Sequence, residues 1–348
     1  MGRVKYAARN ILFGYVSNII TLLLNAGLRY VFIMRLDETL LGINSTYTNI
    51  LSVLSLAELG VGTAINFSLY APVARHDKEK IKAYMQFYKK AYRMIAIIVA
   101  AVGLILVPFL KYIIKDPVGI DSNQDLINFY LIFLFNTVSS YFVAYKYSLP
   151  NAEQKNYIQS NVITITKITT TLVQIIVILA TSSFYGYLIS ASVIELAQKI
   201  FANIYLNHKY PFLKEQNVEK LSKEETTDIK RKTGALVCHK VGDVARLQTD
   251  SIIISGFINV AMSGVVDNYN LVISSVSNFV NIIFNSVISS FGNLIATESK
   301  EKQYSMFCVY RFFASWIYGF SAVGFYILLT PLIRLWLGDK WMLPRAVT

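Results

Sequence analysis

The chain has 348 residues, 54% of them hydrophobic and only 16% charged, with a formal net charge of +12 and a mean hydropathy of +0.46. Its apolar residues fall in runs of roughly 18–20 residues or more, the length that crosses a bilayer, and not in the short alternation of a half-buried sheet. A soluble core of this size has no room for so many uniformly apolar helices, which excludes an ordinary soluble enzyme.

The predicted elements begin after a short basic segment, Arg3, Lys5 and Arg9. The apolar stretch from Asn10 to about Met34 is too long for the h-region of a signal peptide and lacks a small-residue cleavage site, so it is a retained first helix. Further helices are expected at roughly 41–69, 92–113, 126–147, 157–182, 184–207, 233–260, 268–297 and 307–335. The expected class is all-α, a polytopic membrane protein with about nine transmembrane helices. Cys238 and Cys308 fall inside predicted helices and suggest no disulfide framework. Asp37 and Glu38, between the first two helices, read as a solvated turn. His76, His208 and His239 are scattered, without metal-ligand spacing, and no metal site is expected.

Lysine and arginine alternate by connection. They crowd the N-terminus, the 70–93 segment (Arg75, Lys78, Lys80, Lys82, Lys89, Lys90 and Arg93), the 146–156 loop, the 208–232 stretch and the 298–311 segment. The other side holds only Arg35, Lys111 and Lys115. The positive-inside rule then places the N-terminus in the cytoplasm. The basic charge is topological and lipid-facing, with no nucleic-acid partner expected. The 70–93 segment is either an amphipathic helix along the membrane surface or an extension of the third helix.

A shift of 222 residues lays Gly42 on Gly264, Tyr47 on Tyr269, Lys78 on Lys300, Lys80 on Lys302 and Tyr88 on Tyr310. Helices 1 to 3 then align with helices 7 to 9. The shift spans an even number of helices, so both copies share one orientation, as in parallel repeats about an axis along the membrane normal. This predicts a first six-helix lobe over 1–207, a cytoplasmic linker over 208–232 and an incomplete second lobe over 233–348. By that symmetry the chain is a C-terminally truncated form of a longer protein.

Several segments carry a resemblance: Ala57-Glu58-Leu59-Gly60-Val61-Gly62, Leu69-Tyr70-Ala71-Pro72, Gln154-Lys155-Asn156-Tyr157, Thr249-Asp250-Ser251-Ile252-Ile253-Ile254-Ser255, Phe291-Gly292-Asn293-Leu294 and Leu335-Trp336-Leu337-Gly338. In their order and spacing the chain resembles bacterial polysaccharide flippases of the Wzx type, in the multidrug/oligosaccharidyl-lipid/polysaccharide exporter superfamily. The resemblance implies a two-lobe, inverted-V exporter architecture around a central cavity. It also implies a cargo, an undecaprenyl-diphosphate-linked sugar, moved across the bacterial cytoplasmic membrane by alternating access during surface polysaccharide biosynthesis. A polysaccharide polymerase and glycosyltransferases would be partners. No cofactor is expected beyond a coupling Na⁺ or H⁺.

Ionisable residues at membrane depth cost about 2.5–3.5 kcal/mol each on insertion scales and face a cavity or a partner. On the seventh predicted helix Lys240, Asp243, Arg246 and Asp250 fall within an arc of roughly 120°. This stripe reads as a cavity wall, with Lys240 and Arg246 drawing a diphosphate or acidic sugar and the acids pairing with them or taking a coupling cation. The alternative is a self-neutralising ladder, partly wet. Arg29 is a second cavity candidate or snorkels to the interface. Lys167, among Thr164, Thr166, Thr169 and Thr170, suits a water-filled cavity. Glu58, followed by Gly60 and Gly62, binds a coupling ion or pairs with a neighbouring helix. Glu195 and Lys199 read as a structural i,i+4 pair.

Two other readings compete with a flippase. One is a polytopic glycosyltransferase or polymerase with Asp37 and Glu38 as its acids. The other is a drug or peptidoglycan-precursor exporter of the same superfamily.

Overall fold

The computed structural model describes residues 2–55, 58, 68–114, 122–153, 155, 157–215, 218, 221–247, 249–297 and 299–343. Among them every regular element is a helix: α1 (Gly2–Arg35), α2 (Glu38–Leu54), α3 (Lys78–Leu106), α4 (Asn123–Ala144), α5 (Tyr157–Thr181), α6 (Phe184–Lys209), α7 (Lys223–Leu247), α8 (Thr249–Phe257), α9 (Val260–Thr297) and α10 (Lys300–Leu337). The 3-10 turn Val107–Phe109, which carries Pro108, and one helical turn, Leu110–Ile113, extend α3. Proline removes an amide donor and crowds the carbonyl four residues back, which tightens the helix there. The turns Tyr145–Tyr147 and Ser148–Ala152 extend α4.

Local sequence sets the helix starts. Asp37 caps α2 by accepting from the Leu40 amide at 2.9 Å, and Asp77 caps α3 by accepting from the Lys80 amide at 3.0 Å. Ser122 and Ser183 cap α4 and α6 in the same way. Such caps satisfy amides that the helix leaves without partners. At the far end of α10, Gly338 takes a φ of 93°, which other residues rarely adopt.

Each of the nine expected spans is helical over most of its described residues. The seventh, 233–260, is divided between α7 and α8. Four helical stretches are long and apolar enough to cross a membrane: Lys78–Ile113, Asn123–Ala152, Tyr157–Thr181 and Lys300–Leu337. The other expected spans present no such stretch within the described residues; α6, for one, is interrupted by Glu195, Gln198 and Lys199. Apolar side chains stand outward, including Ile97 and Ile105 on α3, Ile165 and Ile176 on α5 and Tyr326 and Leu335 on α10. Apolar patches of this extent mark an apolar surrounding. The chain is a multi-pass helical membrane protein.

Two compact units form, Leu23–Gly264 and Met1–Leu22 with Val265–Thr348. In the first, Tyr47 is fully buried and its hydroxyl donates to Leu126 O at 2.9 Å. Its ring meets Tyr130 edge-on at 5.3 Å. Tyr130 in turn donates to Gly103 O at 3.1 Å, joining α4 to α3. Each buried hydroxyl thus finds an acceptor, as low-polarity surroundings require.

The start of α9 crosses α2 at glycines. A Cβ on Gly42 would run into Val260 O, and one on Gly264 would lie 2.7 Å from Glu38 O. Glycine at both positions lets the two backbones approach this closely.

The segment after α6 is tied to α3 at the lysine-rich end. Lys82 Nζ lies 2.7 Å from Glu215 and 2.6 Å from Glu79. Lys80 Nζ lies 2.9 Å from Glu225. The Lys80 ammonium, followed by the Ser222 amide, lowers the Glu225 pKa.

In the second unit, Phe284 on α9 stacks on Tyr318 of α10 at 5.7 Å. The Leu343 amide donates to the Tyr269 hydroxyl at 2.9 Å. Ile333 and Trp341 are buried.

Candidate functional site

The apolar helices of the Leu23–Gly264 unit turn polar faces toward one another. On α2, Asn44, Thr48, Ser52 and Ser55 recur at helical spacing along one face. Thr48 and Ser52 satisfy their own hydroxyls locally, donating to Asn44 O at 2.7 Å and Thr48 O at 2.9 Å. On α4, Thr137 and Ser140 do the same toward Phe133 O and Thr137 O. Such back-bonding lets a hydroxyl sit at membrane depth without a partner on another helix.

Between α2, α4, α5 and α6 these faces enclose an open cavity of about 970 Å³. Among the described residues, the acidic and basic side chains of its lining are Glu58, Lys167 from α5 and Glu195 from α6. Tyr141 of α4 joins them, its hydroxyl donating to Ser55 Oγ at 2.8 Å and lying within hydrogen-bonding reach of Glu58. Lys167 is exposed to the open side of the cavity, and among the described residues its ammonium has no hydrogen-bond or ion-pair partner. Asn136 donates through Nδ2 to Ser192 Oγ at 2.9 Å, while its Oδ1 is buried with no partner. A buried amide oxygen in this state is an acceptor for water or cargo.

The sequence candidates thus separate. Glu58 and Lys167 are brought to one cavity, although far apart in the chain. Arg29 is half-buried on α1 and is not part of this lining. Lys240, Asp243 and Arg246 lie on α7, and their side chains fall outside the described residues. Asp250 is exposed in the first turn of α8, where a carboxylate complements the helix dipole.

Other residues of the lining were not expected there. Glu195 was expected only to pair with Lys199. That pair is present at 3.7 Å, but the closer bonds of the buried Lys199 ammonium run to Asn136 O and Ser139 Oγ, both at 2.9 Å. Glu195 therefore keeps a carboxylate at the cavity wall. Asn136 and Tyr141 carried no signal either, because a single amide or phenol in an apolar helix has no periodic pattern. Asp37, one of the two acids of the competing enzyme reading, is committed to the α2 cap.

No family model matches the chain, and no curated protein matches it. Among solved structures it is similar to an inward-facing conformation of a multidrug resistance MATE family transporter of the MOP superfamily. The match covers 92% of this chain and 73% of that one, with a TM-score of 0.63 and 12% identity. At that identity the likeness is one of fold alone: the chain shares the helical architecture of that structure.

Proposed function

We propose that this protein is a transporter that moves a lipid-linked oligosaccharide across the bacterial cytoplasmic membrane by alternating access. The observation that carries transport is the open cavity of about 970 Å³, lined by hydroxyls, amides and three charges inside apolar helices. Polar groups at such depth are costly unless they face water, ions or cargo. The exporter fold agrees with this reading. The sugar-diphosphate cargo rests on the sequence resemblance alone, with Arg29, Lys167, Lys240 and Arg246 as the cations that would meet the diphosphate. The lobes would be 1–207 and 233–348, joined by 208–232, with the N-terminus in the cytoplasm. Glu58, braced by Tyr141 and Ser55, is the acceptor for a coupling Na⁺ or H⁺; Asp243 and Asp250 would hold the cations of α7 in place.

The test is reconstitution in proteoliposomes with a fluorescent undecaprenyl-diphosphate sugar and a quencher confined to the outside. Translocation should exceed that of empty vesicles and fall in Glu58→Gln. A rate equal to empty vesicles would refute the flippase reading. A second reading, export of organic cations, draws on the two carboxylates, Glu58 and Glu195, that line the cavity. Uptake of a cationic dye by the same vesicles, without sugar-lipid movement, would select it.

A further inference from the structure

The hydroxyls of the large cavity have already committed their hydrogens. Thr48 and Ser52 on α2 donate to carbonyls of their own helix, and Thr137 and Ser140 on α4 do the same. Tyr141 donates to Ser55 Oγ at 2.8 Å. A hydroxyl carries one hydrogen and two lone pairs, so what each of these five groups now offers the cavity is an acceptor. Asn136, whose Nδ2 donates to Ser192 Oγ, adds an Oδ1 that is buried without a partner. The α2 and α4 faces of the cavity are therefore rich in acceptors, and a ligand seated on them brings the hydrogens. A smaller hollow of about 360 Å³ in the same unit, between α3, the Tyr145–Tyr147 turn and α6, has the opposite character: Lys89, Arg93 and Lys146 line it with cationic donors.

The spread of the acceptors says which donor. Thr48 and Ser52 are four residues apart and Thr137 and Ser140 three apart, so the members of each pair are neighbours on one helix face, about 5–6 Å from each other. The two pairs stand on different helices. An ammonium gathers all its donors on one nitrogen and meets so wide a set at a single point. A sugar ring carries hydroxyls around its whole rim, and each of them donates. Phe133 and Tyr187 add ring surface to the same lining, against which the C–H face of a sugar packs. We infer that the α2 and α4 faces form a glycosyl subsite, with Thr48, Ser52, Thr137 and Ser140 accepting from the hydroxyls of the sugar. That assignment rests on the proposed transport of a lipid-linked sugar and adds where the sugar sits, leaving Lys167 of α5 to meet the diphosphate.

The full-length chain, in a detergent that carries no sugar, would be titrated with two fluorescent probes labelled on the lipid: undecaprenyl diphosphate bearing a hexose, and the same lipid diphosphate without it. Anisotropy reads the affinity of each. The sugar-bearing lipid should bind more tightly. Thr48→Val with Thr137→Val should narrow that preference by about tenfold, the contribution of two neutral hydrogen bonds, and leave the affinity for the bare lipid unchanged. Each hydroxyl bonds only within its own helix, so the variant keeps its fold, and its unchanged hold on the bare lipid is the control. Equal affinity of the unsubstituted chain for the two lipids overturns the subsite while the diphosphate reading stands; binding of neither lipid overturns the cargo reading as well. A preference that survives in the variant, or a loss that falls equally on both lipids, also overturns the subsite. Displacement of the sugar-bearing lipid by a cationic dye whose own affinity falls in the variant assigns the acceptors to an ammonium and overturns the sugar.

Discussion

The two hollows of the Leu23–Gly264 unit share α4 and α6, and Tyr141 lines both, yet their charges are composed differently. The larger mixes Glu58 and Glu195 with Lys167, and the smaller gathers Lys89, Arg93 and Lys146, with no acid among the described residues of its lining. Depth explains the contrast. Within the span, charges interact through a medium of low polarity and mixed signs hold the cost down. At the lysine-rich end, water and head groups are at hand to screen a one-signed cluster. The same helices thus carry an interior of mixed sign and, among the described residues, a rim hollow lined by cations.

The largest expected effect strikes the frame on which both hollows depend. Gly42→Leu puts a side chain into the Val260 carbonyl, a backbone clash that costs about 3 kcal/mol or more and should abolish folded protein in size-exclusion chromatography. Recovery of normal folded protein would show that α2 and α9 do not need their close approach. Next, Lys146→Ala strands the Asn203 and Asn207 carbonyls and should cost about 2–3 kcal/mol in thermal unfolding; a cost near zero would put Lys146 with the wet rim charges. Glu58→Gln should leave stability within about 0.5 kcal/mol but slow transport by about tenfold or more, the worth of one charge-assisted contact. Unchanged transport would remove Glu58 from the mechanism.

The smallest effect lies outside both hollows. Lys80→Gln, which opens the exposed pair with Glu225, should cost about 0.5 kcal/mol. Its pH dependence has a definite sign. The depressed Glu225 contributes stability that is complete above the ordinary carboxylate value of 4.5 and is lost as pH falls through its lowered value. Amide exchange over residues 221–225 should therefore quicken, relative to intrinsic rates, as pH falls below 4.5; exchange that does not change with pH after correction for intrinsic rates would dissociate this segment from α3.

Much of the fold was legible in the residues. Run length gave the helices, while Asp37, read as part of a solvated turn, proves to cap α2, and Gly42 and Gly264 prove to be in close contact. The cavity was legible only in part. Lys167 and Glu58 stood out because an ionisable group in an apolar run is costly wherever it points. Glu195 looked like half of an i,i+4 pair, because spacing within a helix cannot show that Lys199 is held more closely by Asn136 and Ser139 of α4.

Sequence alone determined what each helix would tolerate around it: its length, its apolar face, its caps and the end at which its basic residues gather. These are local properties, set by hydropathy and by interactions within a few turns. Tertiary structure decided which faces meet. It made Asn44, Tyr141, Lys167 and Glu195 one wall, and it buried Lys146 against two asparagines of α6. Those pairings depend on the rotation and register of helices packed from distant parts of the chain, which no local pattern encodes.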